Sequence, residues 1–234
     1  MNKFLILGDI HGRTIWKDII KKENPDITIF LGDYCTTHYD ISSEDQISNL
    51  KEILQYKKDN LDRVILLRGN HDDQMLGYHW AKCSGYDPVV AKYMSSIKDE
   101  FLDLTQWLYI IKQLDKPIIC SHAGLSTYFI DNCKVENLED INKLPPSELF
   151  GFTPDSCYDI YGISKTQPCT WIRPGALLMY SSSDYHQIVG HTPVRNILVK
   201  TLIGGTKLYF CDALENKQYL TITNSKININ TYES

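Results

Sequence analysis

Between residues 3 and 125 an apolar run stops abruptly at a small polar cluster, four times over. Residues 3–7 run into Gly8-Asp9-Ile10-His11-Gly12, and residues 27–31 into Gly32-Asp33. Residues 64–67 run into Arg68-Gly69-Asn70-His71-Asp72, and residues 118–120 into Ser121-His122-Ala123-Gly124. Short apolar runs without polar alternation read as strands buried on both faces. Amphipathic stretches separate them. Thr14 is placed to cap a helix through residue 22. A second helix, from Ser43 or Glu44 to residue 58, carries Ile47, Leu50, Ile53 and Leu54 on one side. Residues 89–102 repeat Val90, Tyr93, Met94, Ile97 and Phe101 at helical spacing. Strands alternating with helices predict βαβ units, an α/β fold and a largely parallel sheet. Ligands of such sheets bind beyond the carboxyl ends of the strands, where every one of these clusters stands.

After residue 131 the pattern changes. Residues 131–170 are polar, carry Pro145-Pro146, Pro154 and Pro168, and lack clear periodicity. They read as a surface insert with one short helix within a single domain spanning 1–234. Beyond it lie β-prone runs at 187–189, 197–202, 207–210, 219–223 and 227–229, with Gly204-Gly205 as a hairpin-like turn. This C-terminal third is expected to be antiparallel. The net charge of −5 gives no global attraction for nucleic acid or an anionic membrane. No apolar run reaches transmembrane length, and the N-terminal one is too short for a signal peptide. The seven cysteines are scattered without a CxxC pair and read as reduced thiols. A cytoplasmic protein with no membrane partner and no strong nucleic-acid binding is therefore expected.

The strand ends offer Asp9, His11, Asp33, Asn70, His71 and His122, and a later cluster adds His191 in Gly190-His191-Thr192-Pro193. Imidazole nitrogen with carboxylate or amide oxygen is the donor set of divalent transition metals. Asp9 and His11, one residue apart, point the same way from extended backbone, and Gly8 and Gly12 permit tight turns beside them. One metal can take Asp9, His11 and Asp33. A second can take Asp33, Asn70, His122 and His191, with Asp33 bridging and positions left open for water and substrate. Singly, each residue reads as a turn, a cap or a loop histidine; as a set at strand ends they read as a metal centre.

In this order the clusters resemble the calcineurin-like metallophosphoesterase superfamily. Within it they resemble the phosphoprotein phosphatase branch, with its compact bacterial and phage serine/threonine phosphatases, and also the symmetrical diadenosine tetraphosphatases. Arg68 and Trp171-Ile172-Arg173-Pro174 fit as well, and the likeness runs from residue 3 to about 212. The resemblance implies a four-layer αββα sandwich of two mixed sheets with flanking helices. It also implies two divalent ions, Mn²⁺ with Fe or Zn²⁺ as alternatives. The expected reaction is hydrolysis of phosphomonoesters, protein phosphoserine, phosphothreonine or phosphotyrosine included, by a hydroxide bridging the metals in in-line attack. By the same resemblance His71 is the general acid, and Arg68 and Arg173 are candidate phosphate clamps. The alternatives are a dinucleoside polyphosphate or nucleotide hydrolase, and a catalytically silent binding scaffold.

One departure stands out. The family's second cluster continues Gly-Asp-x-x-Asp-Arg-Gly, whereas Gly32-Asp33-Tyr34-Cys35 is followed here by Thr36, Thr37 and His38. The missing Asp orients the catalytic histidine in the family, and the missing Arg binds phosphate. Thr36 is expected to accept a bond from the imidazole, or Asp40, Asp72 or Asp184 to stand in. Tyrosines of the insert, Tyr158 and Tyr161, are placed to stack on a nucleobase.

Overall fold

The computed structural model describes residues 2–36, 40–78, 83–150 and 164–233. Strands β1 (Phe4–Leu7), β2 (Ile27–Phe30) and β3 (Val64–Leu67) pair in parallel. β4 (Thr105–Gln106) extends them on one side. On the other, β10 (Gln218–Thr223) and β11 (Lys226–Thr231) add as an antiparallel hairpin, giving the order β11-β10-β1-β2-β3-β4. The second sheet has the order β5-β6-β7-β9-β8. Its strands are β5 (Leu108–Ile111), β6 (Ile118–Ser121), β7 (His186–Pro193), β8 (Leu198–Thr201) and β9 (Lys207–Asp212).

The alternation of side chains along a strand builds the layers. Phe4, Ile6, Ile29, Leu31, Ile65 and Leu67 point from the first sheet onto Ile118, Cys120, Ile188 and Tyr209 of the second. The intervening Leu5, Leu7, Phe30, Val64 and Leu66 point the other way. There they meet α1 (Trp16–Glu23), α2 (Ser43–Asp59), α4 (Pro88–Ser96) and α5 (Lys98–Leu104), while the short α3 (Asn70–Met75) leads out of β3. The outer face of the second sheet carries α6 (Thr127–Cys133) and α7 (Pro174–Tyr180). Helix, sheet, sheet, helix is the four-layer sandwich the resemblance implies.

Four expectations change. Thr14 does not cap α1, whose N-cap is Ile15 and carries no side-chain bond. The helix expected over 89–102 is two helices, broken at Ile97 (φ −116°, ψ 17°). The C-terminal third is not antiparallel throughout, since β6–β7 and β7–β9 pair in parallel. The described part of the insert is more than a surface excursion. Its 3-10 turns Leu138–Lys143 and Glu148–Phe150 bring Ile141 and Phe150 into the core of the second sheet, where Phe150 stacks on Trp107 at 3.9 Å. The cysteines of the described residues are free thiols. No helix among them is long and apolar enough to cross a membrane.

Candidate metal centre

The carboxyl ends of β1, β2 and β3 are tied together before any side chain converges. The His11 N–H donates to the Asp33 carbonyl at 2.7 Å and the Gly12 N–H to the Tyr34 carbonyl at 2.9 Å, joining the first two loops. Asp72, at the start of α3, accepts from the backbone N–H groups of Asp33 (2.9 Å), Tyr34 (3.0 Å) and Gly69 (2.8 Å), joining the second and third. α2 braces them from outside. Its Gln46 accepts from the Thr36 N–H at 2.8 Å, and its Asn49 donates to the Arg13 carbonyl at 3.2 Å.

The second sheet supplies His122, directly after β6, and His191 within β7. The β7–β9 register shifts between Val189 and Pro193, the behaviour of a bulge that re-aims a side chain. The His191 N–H donates to both oxygens of Asp9 at 3.0 Å. Contact is so close that a Cβ on Gly190 would lie 2.1 Å from Asp9 Oδ1, and one on Gly69 2.1 Å from Asp33 Oδ1. These glycines are needed for approach. His11 (φ 45°), Asp33 (φ 51°) and His191 (φ 65°) hold the left-handed region, at a cost on the order of 1–2 kcal/mol each.

Hydrogen bonds then assign the imidazole tautomers. His11 Nδ1 donates to the Thr36 carbonyl (2.5 Å), His122 Nδ1 to the Leu31 carbonyl (2.8 Å) and His191 Nε2 to the Trp171 carbonyl (3.1 Å). The opposite nitrogen of each ring faces the site and can serve a cation once it carries no proton. His122 Nε2 lies 2.9 Å from Asn70 Oδ1 and 3.3 Å from Asp33 Oδ2, and His11 Nε2 lies 3.8 Å from Asp9 Oδ2. Carboxylate, amide and imidazole ligand atoms crowded this closely suit a cation held among them. Ligand atoms of Asp9, His11 and Asp33 lie within 4.8 Å of one another, as do those of Asp33, His122 and His191, with Asp33 common to both groups. The residues present therefore fit divalent metal ions.

The electrostatics agree. Burial works to raise the Asp33 carboxyl, yet the charges of His122 and His71 hold it well below the usual carboxylate range. Burial, followed by the neighbouring Asp212, pushes Asp9 well up. Burial and the Arg173 guanidinium hold His191 well below an ordinary histidine, so it stays neutral as a ligand must. His122 moves the other way. Although burial opposes it, Asp33 and Asp9 push it up to about 10.

Asp9, His11, Asp33, Asn70 and His191 thus line one cavity of about 180 Å³ together with His71 and Arg173, and His122, fully buried, lies against Asn70 and Asp33. His71 Nε2 stands 4.0 Å from Asp33 Oδ2, and its ring lies edge-on to His11 at 5.4 Å. Arg173 rests over Trp171 at 4.6 Å and donates from Nη1 to the His191 carbonyl and Thr192 Oγ1. Arg68 is not among the cavity's lining residues. It is 4% exposed, with its guanidinium 4.0 Å over the Trp107 ring and its Nε donating to Thr105 Oγ1. Thr36 serves His11 through its carbonyl rather than His71. Asp72 spends its oxygens on backbone, Asp40 is exposed, and Asp184 bonds to Ser182. Thr37, His38, Tyr158 and Tyr161 lie outside the described residues. The sequence reading missed three cavity residues, Cys83, Ser84 and Asp212. For Asp212 the signal was present, since the apolar run of β9 also ends in an acid.

A family model described as calcineurin-like phosphoesterase matches residues 2–210. Among solved structures, a mutant of a cold-active protein tyrosine phosphatase superposes with a TM-score of 0.64 at 17% identity, covering 98% of this chain and 77% of that one. A protein serine/threonine phosphatase from Saccharomyces cerevisiae gives a TM-score of 0.61 at 16% identity, covering 99% and 80%. A hypothetical protein from Pyrococcus horikoshii gives 0.53 at 14%, covering 99% and 88%.

Proposed function

The chain belongs to the calcineurin-like phosphoesterase family, enzymes that hydrolyse phosphoesters, and from that premise we propose that it is a phosphatase of phosphomonoesters working with two divalent ions, Mn²⁺ foremost. The observation that carries this reading is the cluster of carboxylate and imidazole ligands in which Asp33 is shared by two groups. Asp9, His11 and Asp33 would hold one ion; Asp33, Asn70, His122 and His191 the other. When bound, the ions acidify water and neutralise charge on the phosphoryl group.

The chain's own residues do the rest. Arg173, at the cavity wall and kept in place by Trp171 and Thr192, pairs with phosphoryl oxygens. His71 Nε2, at the cavity's edge, delivers a proton to the leaving oxygen. Its side chain is 15% exposed, so it exchanges protons with water between turnovers. The Asp33 oxygens are fixed by the His71 N–H at 3.0 Å on one side and His122 on the other, which keeps acid and ligands in register.

The test is a substrate panel on Mn²⁺-loaded protein: nitrophenyl phosphate, a phosphopeptide and diadenosine tetraphosphate, with bound metal quantified. The phosphomonoesters are expected to turn over. Asp33→Asn should lose metal and activity together. His71→Asn should keep its metal and lose about 10²–10⁴-fold on the phosphopeptide, with a smaller loss on nitrophenyl phosphate, whose leaving group needs no proton. Preference for diadenosine tetraphosphate would replace this reading with a nucleotide hydrolase. Protein that retains no metal and shows no Mn²⁺-stimulated turnover would be a binding scaffold.

A further inference from the structure

An amide ligand has a weakness that a carboxylate lacks: turned over by 180°, it presents N–H groups to the metal instead of oxygen. Asn70 is the one amide in the ligand set, and its orientation is held by a residue from the connection between α3 and α4. Asn70 Nδ2 donates to Cys83 Sγ at 2.9 Å, while the same thiol reaches the Asn70 carbonyl at 3.6 Å. Asn70 Oδ1 is thereby aimed at His122 Nε2, 2.9 Å away. Cys83 is itself pinned, its carbonyl accepting from Gln74 Nε2 of α3 at 2.7 Å. Its sulfur lines the metal cavity but joins neither ligand group. The sulfur accepts through a lone pair in the first contact and donates its S–H in the second, so one thiol serves both.

We propose that Cys83 is a positioning residue that fixes the Asn70 amide with its oxygen toward the second metal ion. The inference rests on the reading of Asn70 as a ligand. It assigns to this thiol a part in metal affinity without direct coordination.

The experiment titrates the full chain with Mn²⁺ against a chromophoric chelator, recording stoichiometry, both affinities and the melting temperature of each variant. Cys83→Ala should weaken one of the two ions by about ten- to hundredfold, the loss typical when a group that orients a ligand is removed. The other ion and the metal-free melting temperature should be preserved. Cys83→Ser, whose hydroxyl both donates and accepts, should stay within about threefold of wild type. The decisive arm is Asn70→Asp, because a carboxylate offers oxygen in either orientation. In that background Cys83→Ala should cost nothing further. Wild-type affinities in Cys83→Ala, equal losses in the Ala and Ser variants, or a loss that persists on Asn70→Asp would each overturn the proposal while leaving the metal reading intact. A wild-type chain that binds no Mn²⁺ would instead overturn the ligand assignment and this inference with it.

Discussion

His122 sits fully buried beside two carboxylates, and its proton decides how metal enters. Burial works against the charged ring, but Asp33 and Asp9 push it up to about 10, so metal-free protein carries a proton there at neutral pH. An incoming ion must displace it. Mn²⁺ binding should therefore release protons, and its affinity should climb as pH rises toward 10. Calorimetry in two buffers of different ionisation enthalpy reads this directly; identical heats would refute it. Asp73 is raised as well, and there the consequence falls on stability. Burial raises its carboxyl to about 8, although Arg68 pulls it back. The folded state binds that proton more tightly than the unfolded chain, whose Asp titrates near 3.9. The contribution is thus a loss of stability as pH rises from about 4 to 8. Asp73→Asn should flatten that part of the profile, and melting temperatures at pH 5 and pH 8.5 for the two proteins test it.

Asp9, His11, Asp33 and His122 stand on the loops that follow strands, whereas Asn70 opens α3 and His191 lies in β7, and two kinds of contact hold the loops. Asp72→Ala would strand three buried N–H donors. At about 1–3 kcal/mol each, the chain should lose about 3 kcal/mol or more, measurable by urea denaturation. Gly190→Ala should fold but displace the Asp9 carboxylate, so its expected signature is lost Mn²⁺ with a small change in denaturant midpoint. The strand ends were legible in the sequence because a doubly buried strand leaves an unbroken apolar run, and the polar residue that ends it is conspicuous. The six ligand positions were read that way. The break at Ile97 was not, because helical periodicity continues through it. β4 and β5 went unread because Thr105–Gln106 follows α5, and Leu108–Ile111 follows β4, without a turn signal. Cys83 was invisible for another reason: its loop has no periodic pattern, and what matters is its contact with Asn70, thirteen positions away. The burial of Arg68 was equally hidden, since a guanidinium beside a glycine cluster looks the same whether it faces phosphate or Trp107.

Across the molecule, Asp9, Asp33 and Asn70 belong to the first sheet, His122 and His191 to the second. Metal bound among them joins the two sheets at one end of their shared apolar layer. Because the unfolded chain has no such site, ligand linkage applies: free Mn²⁺ at about a hundred times its dissociation constant should add about 2.7 kcal/mol. For a chain of this size that corresponds to roughly 5–10 °C, so a scan with and without chelator should differ by that amount. An unchanged melting temperature would mean that the ions do not bind the folded chain in preference to the unfolded one. A further consequence follows from the positive backbone angles at positions 11, 33 and 191. Those sites favour glycine or asparagine on conformational grounds alone. A library screened for heat survival without regard to turnover should drift toward those two residues there, and its winners would be sturdier and inert.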